Sequence, residues 1–288
     1  MKFGIDIPNF GGDYANVRLV AEVAHEAEEA GWNGFFVWDH IGANWGKSEF
    51  SDPWMLLTAI AMRTERMRLG PMVTPIPRRR PWKLAREVAT LDQVSNGRVI
   101  FGVGLGEGEE YSSYHEPGDD RQHGEMLDEG LDILTGLWRG EPFSYDGKYY
   151  QVENVLHLPR PVQQSGIPIW VAGWWPNRKP MRRAARWDGV FPLHRNAGNV
   201  EEMTSLEFQK CLAFIRSQQT AEKASQPYDV VKVGNLPYQD KKGTDMDVAR
   251  LEEYASAGVT WWLDGPGGPD ETLDDVRQFI RKGPPRLK

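Results

Sequence analysis

Short apolar runs alternate along the whole chain with longer stretches in which apolar residues recur at helical spacing. Lys2–Ile7 predicts a strand. Tyr14–Ala30 predicts a helix, with Val17, Val20, Ala21, Ala24 and Ala27 on one face and Gly31 as its stop. Gly34–Trp38 reads as the second strand, and Asp52-Pro53 opens the next helix with a capping side chain and a proline at its first position. Arg68–Val73 is the third strand, Pro81–Ser95 its helix, and Asn96-Gly97 the stop before a fourth strand at Arg98–Val103. Asp120–Arg139 predicts a long helix. Beyond it, Asp146-Gly147 lies between two aromatic-rich β segments, the signature of an inserted hairpin. Pro168–Ala172, Gly189–Leu193, Asp229–Val233 and Val259–Leu263 complete eight strands, with helices beginning near Pro176 and spanning Val200–Ala224, Met246–Ala257 and Asp270–Arg281. Eight strands each followed by a helix, with no linker, predict a (β/α)8 TIM barrel as a single domain over residues 1–288, with the hairpin after the fourth helix. A doubly wound open sheet in two domains would need a break in composition, and none is visible.

Composition narrows the class. The hydrophobic share of 40% and charged share of 26% in 288 residues describe a globular chain with a sizeable core, which excludes disorder. The net charge is −7, so a nucleic-acid partner would need a segregated basic face that the sequence lacks. One cysteine, Cys211, can form neither an internal disulfide nor a cysteine-based zinc site. No apolar run approaches the roughly eighteen residues that span a bilayer. The opening Met-Lys-Phe-Gly-Ile-Asp reads as a strand rather than a leader, which makes the cytoplasm the expected compartment. Twelve tryptophans suggest an aromatic-rich cavity or interface.

A barrel of this class carries its chemistry on the loops after its strands. Those loops hold Pro8-Asn9-Phe10, Asp39-His40, Thr74-Pro75, Gly104 to Glu110, Gly173-Trp174-Trp175, His194-Arg195, Asn235 and Asp264-Gly265. Familiar motifs fail among them. Gly46-Lys47-Ser48 lacks the partner glycine of a phosphate loop, because Ile41 stands in its place. The alternate glycines from Gly102 to Gly106 miss dinucleotide spacing at Glu107. His123-Gly124-Glu125 has no cysteine pair to make a deaminase zinc site. What remains is more general. Bare glycine faces admit a flat group or a tight bend. His40 can exchange a proton near neutrality, with Asp39 as its orienting partner, or it can be a packing histidine. The cations Arg178, Lys179, Arg182 and Arg183 lie near a helix start suited to a phosphate, or form a solvated face, and Arg78-Arg79-Arg80 is a second basic cluster.

The stretch from Arg80-Pro-Trp-Lys through Ser95-Asn-Gly-Arg to Gly102-Val-Gly-Leu-Gly-Glu resembles the luciferase-like monooxygenase family, which includes bacterial luciferase and deazaflavin-dependent relatives. Val37-Trp-Asp-His-Ile, Ile167-Pro-Ile-Trp-Val-Ala-Gly and Gly258-Val-Thr-Trp-Trp-Leu resemble it too, in family order. The resemblance implies a TIM barrel, usually dimeric, that seats a flavin or deazaflavin ring at its mouth. By position it implies a cis peptide at Pro71–Met72 with Thr74 just beyond, a cofactor wall at Gly104 and Gly106, and a phosphate region at Ala172, Gly173, Trp174 and Arg178. Trp174-Trp175 departs from the small residues common in the family.

Two chemistries share that scaffold, one with FMN and oxygen, the other with hydride carriage by coenzyme F-420. Asp39-His40 and the Arg78–Arg80 cluster, which could meet a polyglutamate tail, lean toward the deazaflavin. The expectation is therefore a flavin-type oxidoreductase of a small organic substrate, a homodimer with no metal, nucleic-acid or membrane partner. Its catalytic candidates are His40, Asp39, Glu107 and Glu109. A glycoside hydrolase using Asp6, Glu107, Glu109 and Asp264 is the alternative from a different class, and a flavin-binding barrel without turnover is another.

Overall fold

The computed structural model describes residues 1–42, 48–116, 118–196, 199–234, 248–265 and 272–287. Asn235 and the Gly46-Lys47 pair lie outside them. Along the chain come β1 (Lys2–Ile7), α1 (Val17–Ala30), β2 (Gly34–Val37), α2 (Pro53–Arg63), β3 (Arg68–Pro71), β4 (Thr74–Pro75), α3 (Pro81–Val94), β5 (Phe101–Gly104), α4 (Gly108–Ser113) and α5 (Asp120–Trp138). The antiparallel hairpin β6 (Phe143–Asp146) and β7 (Gln151–Val155) follows. Then come β8 (Ile169–Trp175), α6 (Arg178–Ala184), β9 (Gly189–Asn196), β10 (Asn199–Glu201), α7 (Ser205–Gln218), α8 (Ala221–Ala224), β11 (Asp229–Val233), α9 (Val248–Ser256), β12 (Trp261–Asp264) and α10 (Leu273–Ile280). This is the expected (β/α)8, TIM-barrel-like class with its hairpin insertion.

The residues fall into two units. One comprises Met1–Ile7, Glu22–Phe36 and Pro168–Lys288. Within it β8, β9, β11, β12 and β1 pair in parallel in that order, so the first strand of the chain lies beside the last, with Ile5 opposite Asp264. Its core is aromatic: Phe36, Trp170 and Trp261 meet at ring separations of 5.3–5.9 Å. Among the described residues seven tryptophans (32, 54, 138, 170, 175, 261 and 262) are buried, so much of the tryptophan excess is spent on packing.

The other unit comprises Pro8–Ala21 and Val37–Ile167. Here β4 pairs in parallel with β5, and Leu69 of β3 bridges Val99. The strands approach so closely that a Cβ on Gly102 would stand 2.3 Å from the Pro71 carbonyl oxygen. That glycine answers to its neighbouring strand and not to a flat ligand. Gly106 adopts φ +90°, and a Cβ there would lie 2.8 Å from Pro75, which makes it the bend itself.

Local chemistry sets several boundaries differently from the sequence pattern. The Val200–Ala224 helix is divided: Val200 pairs with Arg195 in the β10–β9 ladder, and a Thr204/Glu207 capping box starts α7 only at Ser205. Thr220 then caps the separate α8. The hairpin turn is longer than Asp146-Gly147, because the Glu129 carboxylate accepts the N–H groups of Lys148, Tyr149 and Tyr150 and holds them out of the ladder. Asp52 caps α2 as expected, accepting from Trp54 and Met55 at 2.9 Å.

Arg98 ties α2 to the strand region ahead of β5. Its guanidinium, almost wholly buried, donates to the carbonyls of Ala61, Thr64, Met67 and Ser95 and to the Thr64 hydroxyl. Two of these acceptors, Ala61 and the cap residue Thr64, stand at the C-terminal end of α2, where carbonyls have no partner within the helix. R98M should lower the unfolding free energy by about 2–4 kcal/mol in urea titrations, since four carbonyls lose a charged donor at once. A change within about 0.5 kcal/mol would contradict this role.

Candidate active site

Asn9 organises the loops around His40. Wholly buried, its Nδ2 donates to the carbonyls of His40 and Ser51, both at 2.7 Å, and its Oδ1 accepts the His40 N–H at 3.1 Å. The imidazole then meets Phe10 edge-on at 5.5 Å and Trp38 at 6.1 Å, while Phe10 stacks on Phe50 at 5.0 Å. The His40 side chain is 18% exposed. It is a half-buried base on an aromatic wall.

Beneath it lies a set of four charges. The side chains of Asp39 and Glu110 have no exposed surface, and that of Arg78 only 3%. Arg78 donates to Glu110 Oε2 and to both the carbonyl and Oδ1 of Asp39. Arg79 donates to both Asp39 carboxylate oxygens, at 2.7 and 2.8 Å, and the Thr74 hydroxyl donates to Oδ2 at 2.7 Å. Glu110 Oε1 takes the Ile41 N–H at 2.8 Å and lies 3.3 Å from His40 Nδ1. Burial pushes the Glu110 carboxyl up, but the His40 hydrogen bond, the Arg78 charge and the Ile41 N–H outweigh it and hold the group at about 2. Two carboxylates face two guanidiniums, so the set is neutral without His40.

Several expected residues therefore take other places. The bonded partners of the Asp39 carboxylate are Thr74, Arg78 and Arg79, and the carboxylate that meets the imidazole belongs to Glu110. Glu107 and Glu109 are exposed. The helix α4 turns Glu110 inward because the next residue, Tyr111, is anchored: its hydroxyl donates to Leu105 O at 2.7 Å and its ring stacks on His123 of α5 at 4.0 Å. Arg78 and Arg79 are engaged by Asp39 and Glu110, which leaves their side chains 3% and 17% exposed, so little of either is open to a polyanionic tail; of the three only Arg80 is exposed. The cis peptide is Met72–Val73, one bond later than expected at Pro71–Met72. Strand-type bonding carries on through the Met72 N–H, which reaches Val37 O at 2.8 Å, and the chain turns only after it. Pro71, Met72 and Gly104 are buried, with Gly104 opposite Pro75.

In the first-described unit, Ala172, Gly173 and Trp174 are half-buried on β8. A Cβ on Gly173 would stand 2.3 Å from Pro180 Cβ, so this glycine lets α6 close on the strand. Exposed Arg178 lies over the rings of Trp175 and Phe214, at 5.0 and 4.3 Å, and Arg195 lies 4.2 Å over Trp174. Asp6 and Asp264 are buried. Among the described residues no group of three or more His, Cys, Asp or Glu side chains could hold a metal ion, and no helix is long and apolar enough to cross a membrane.

Residues 1–204 match the model of the luciferase-like monooxygenase family, and the chain belongs to it. The chain is 30% identical over 190 residues to the oxygenase component of a flavin-dependent trigonelline monooxygenase from Acinetobacter baylyi, covering 63% of this chain and 50% of that protein. It is 34% identical over 164 residues to an F-420-dependent glucose-6-phosphate dehydrogenase from Amycolatopsis mediterranei, covering 55% and 48%. It thus spans about half the length of these two relatives. An uncharacterised protein of Mycobacterium tuberculosis matches over 235 residues at 32% identity, covering 80% of this chain and 74% of that one. In structure the chain is similar to an F-420-dependent secondary alcohol dehydrogenase, with TM-score 0.77 and 17% identity over 97% of this chain and 96% of that one. It is also similar to the coenzyme F-420-dependent tetrahydromethanopterin reductase of Methanopyrus kandleri, with TM-score 0.74 and 19% identity over 100% and 99%. These two likenesses establish the fold. The family is one of flavin- and deazaflavin-linked oxidoreductases of small organic molecules.

The depressed Glu110 carboxyl has a consequence in acid. Its folded form holds a proton more weakly than its unfolded form, so the stability it contributes is present above about pH 4.5 and drains away as the pH falls toward 2. Between pH 7 and pH 3 the gap in unfolding free energy between wild type and E110Q should therefore narrow by roughly 1–2 kcal/mol. Parallel acid limbs for the two proteins would contradict the assignment.

Proposed function

We propose that this chain is an oxidoreductase that moves a hydride between a deazaflavin of the coenzyme F-420 type and a small organic substrate, with His40 as its proton-handling residue. The observation that carries this reading is the half-buried imidazole resting on a buried, internally neutral set of charges. A planar, mostly apolar ring needs aromatic walls, a proton donor or acceptor at its edge and no uncompensated charge beneath. Phe10, Trp38, His40 and the balanced Arg78, Arg79, Asp39 and Glu110 fit those needs. When bound, the deazaflavin supplies a two-electron carrier that exchanges a hydride.

The residues divide the remaining work. Phe10 and Trp38 keep water from one side of the imidazole and offer an apolar face for substrate or ring. Asn9 fixes the backbone on which His40 stands, and the imidazole accepts the proton leaving a substrate hydroxyl as the hydride departs, or returns it in the reverse direction. With Arg78 and Arg79 engaged internally, the lean toward the deazaflavin rests on Asp39-His40 and on the similarity to the Amycolatopsis dehydrogenase. FMN with oxygen is the second reading, supported by the similarity to the trigonelline monooxygenase component.

H40A should lower kcat about 10²- to 10⁴-fold while changing cofactor Kd far less. The paired measurement is a titration with each cofactor and turnover on a substrate found by screening. Binding of FMN but not the deazaflavin would favour the second reading; binding of neither at tens of micromolar by a folded protein would defeat both. Turnover of H40A within about threefold of wild type would remove His40 from the chemistry.

We also propose a homodimer. Met55 and Met62, 62% and 71% exposed, lie on the strongly apolar α2, a face suited to another copy. Light scattering should give the mass of two chains, and a single-chain mass across concentration would contradict it.

A further inference from the structure

We infer that Glu110 is the positioning residue of this site, committing Nδ1 of His40 to its own Oε1 so that Nε2 is the nitrogen that exchanges a proton with substrate. The inference rests on the reading of His40 given above and goes beyond it by assigning a nitrogen and a partner.

Three features single out Glu110. One oxygen does two jobs: Oε1 lies 3.3 Å from Nδ1, and it accepts the N–H of Ile41 at 2.8 Å with Gly42 N at 3.4 Å. The group that meets the ring therefore also grips the backbone leaving His40, as Asn9 grips the backbone at His40 itself. Its other oxygen is occupied by Arg78, so the carboxylate cannot rotate toward the ring or away from it without breaking that contact. Finally, the side chain is wholly buried, and the Tyr111 contacts hold α4 in place behind it. A separation of 3.3 Å is long for a hydrogen bond, as is common where the bond tightens only around bound substrate.

The charged groups around the imidazole give the inference a sign. Glu110 faces it from α4, Arg78 stands on the far side of that carboxylate between β4 and α3, and Asp39 adjoins in sequence with its carboxylate turned to Thr74, Arg78 and Arg79. Phe10 and Trp38 supply uncharged neighbours. Arg78 shares the charge of Glu110 with His40. Removing Glu110's charge should therefore disfavour a protonated imidazole, and removing Arg78's should favour it. Any carboxylate this close would shift the imidazole in this way, so the tautomer of the neutral ring and the split between kcat and KM are what mark a positioning role.

The test uses the full-length chain with 15N-labelled histidine, the His40 signals being those lost in H40Q. Neutral His40 should carry its proton on Nδ1 in wild type. Its titration midpoint, and the matching limb of the pH–rate profile, should move down in E110Q and up in R78Q, with E110D lying between wild type and E110Q. On turnover, E110Q should reduce kcat about 10- to 100-fold with KM within about threefold, as for other groups that orient a catalytic histidine. An unmoved midpoint and tautomer in folded E110Q would overturn the inference, as would shifts of the same sign in E110Q and R78Q. If E110Q does not fold, R78Q and E110D decide by the same readouts. The NMR needs no cofactor, so the two readings fail separately: full activity in H40A defeats the role of His40 in turnover, whereas an Nε2 proton in wild type defeats the assignment to Glu110.

Discussion

A buried guanidinium cannot stand alone, and the contact of Arg78 with Glu110 and Asp39 is the constraint around which the site is arranged. An isolated ion in a protein interior costs several kcal/mol, and that cost is offset only where opposite charges and hydrogen bonds meet it in good geometry. Here two guanidiniums and two carboxylates meet that condition together, with the Thr74 hydroxyl and the Ile41 N–H as additional donors. The four charges come from three pieces of chain: Asp39 from just after β2, Arg78 and Arg79 from the segment after β4, and Glu110 from the first turn of α4. Fixing the charges thus fixes three loops relative to one another.

His40 takes its place from that arrangement and not from its own neighbours in sequence. The backbone is held by Asn9 and the ring edge by Phe10 and Trp38, and Glu110 Oε1 stands 3.3 Å from Nδ1. Because the four charges beneath already balance, protonation of the imidazole takes the site from neutral to a net charge of +1. A group that is partly exposed and supported on an otherwise neutral base can change its protonation without disrupting its support. That property is what an oxidoreductase acting on a polar bond needs from a side chain, and it is independent of which ring carries the hydride.

Much of the fold was legible because it rests on periodicity. The strands at Lys2–Ile7 and Asp229–Val233 coincide with the apolar runs, and Asp52-Pro53 opens α2 where a capping residue followed by proline predicts it. Long-range chemistry was not legible. Glu107, Glu109 and Glu110 stand almost side by side, and nothing in their spacing says that only the last turns inward, which is decided by the anchorage of Tyr111 to Leu105 and His123. Arg78-Arg79-Arg80 reads as a surface cluster because charge runs usually are, yet buried acids 30 to 40 positions away claim two of its members. The bare face of Gly102 admits a flat group or a tight bend by its pattern alone, and the Pro71 carbonyl fills it. For the arginines and Gly102 the deciding partner is distant in sequence, and for Glu110 it is a tertiary contact of its neighbour; local pattern supplies neither.

The claim that these charges act as one unit is tested most directly by a double-mutant cycle on Arg78 and Glu110, with unfolding free energies of wild type, R78Q, E110Q and R78Q/E110Q measured at pH 7. Each single substitution deprives a buried charge of one of its partners, while the double substitution removes both charges. The account predicts that the double variant is much less destabilised than the sum of the singles, with a coupling of about 2 kcal/mol or more. Additivity within about 0.5 kcal/mol would contradict it, and would mean that Arg78 and Glu110 are placed independently of each other.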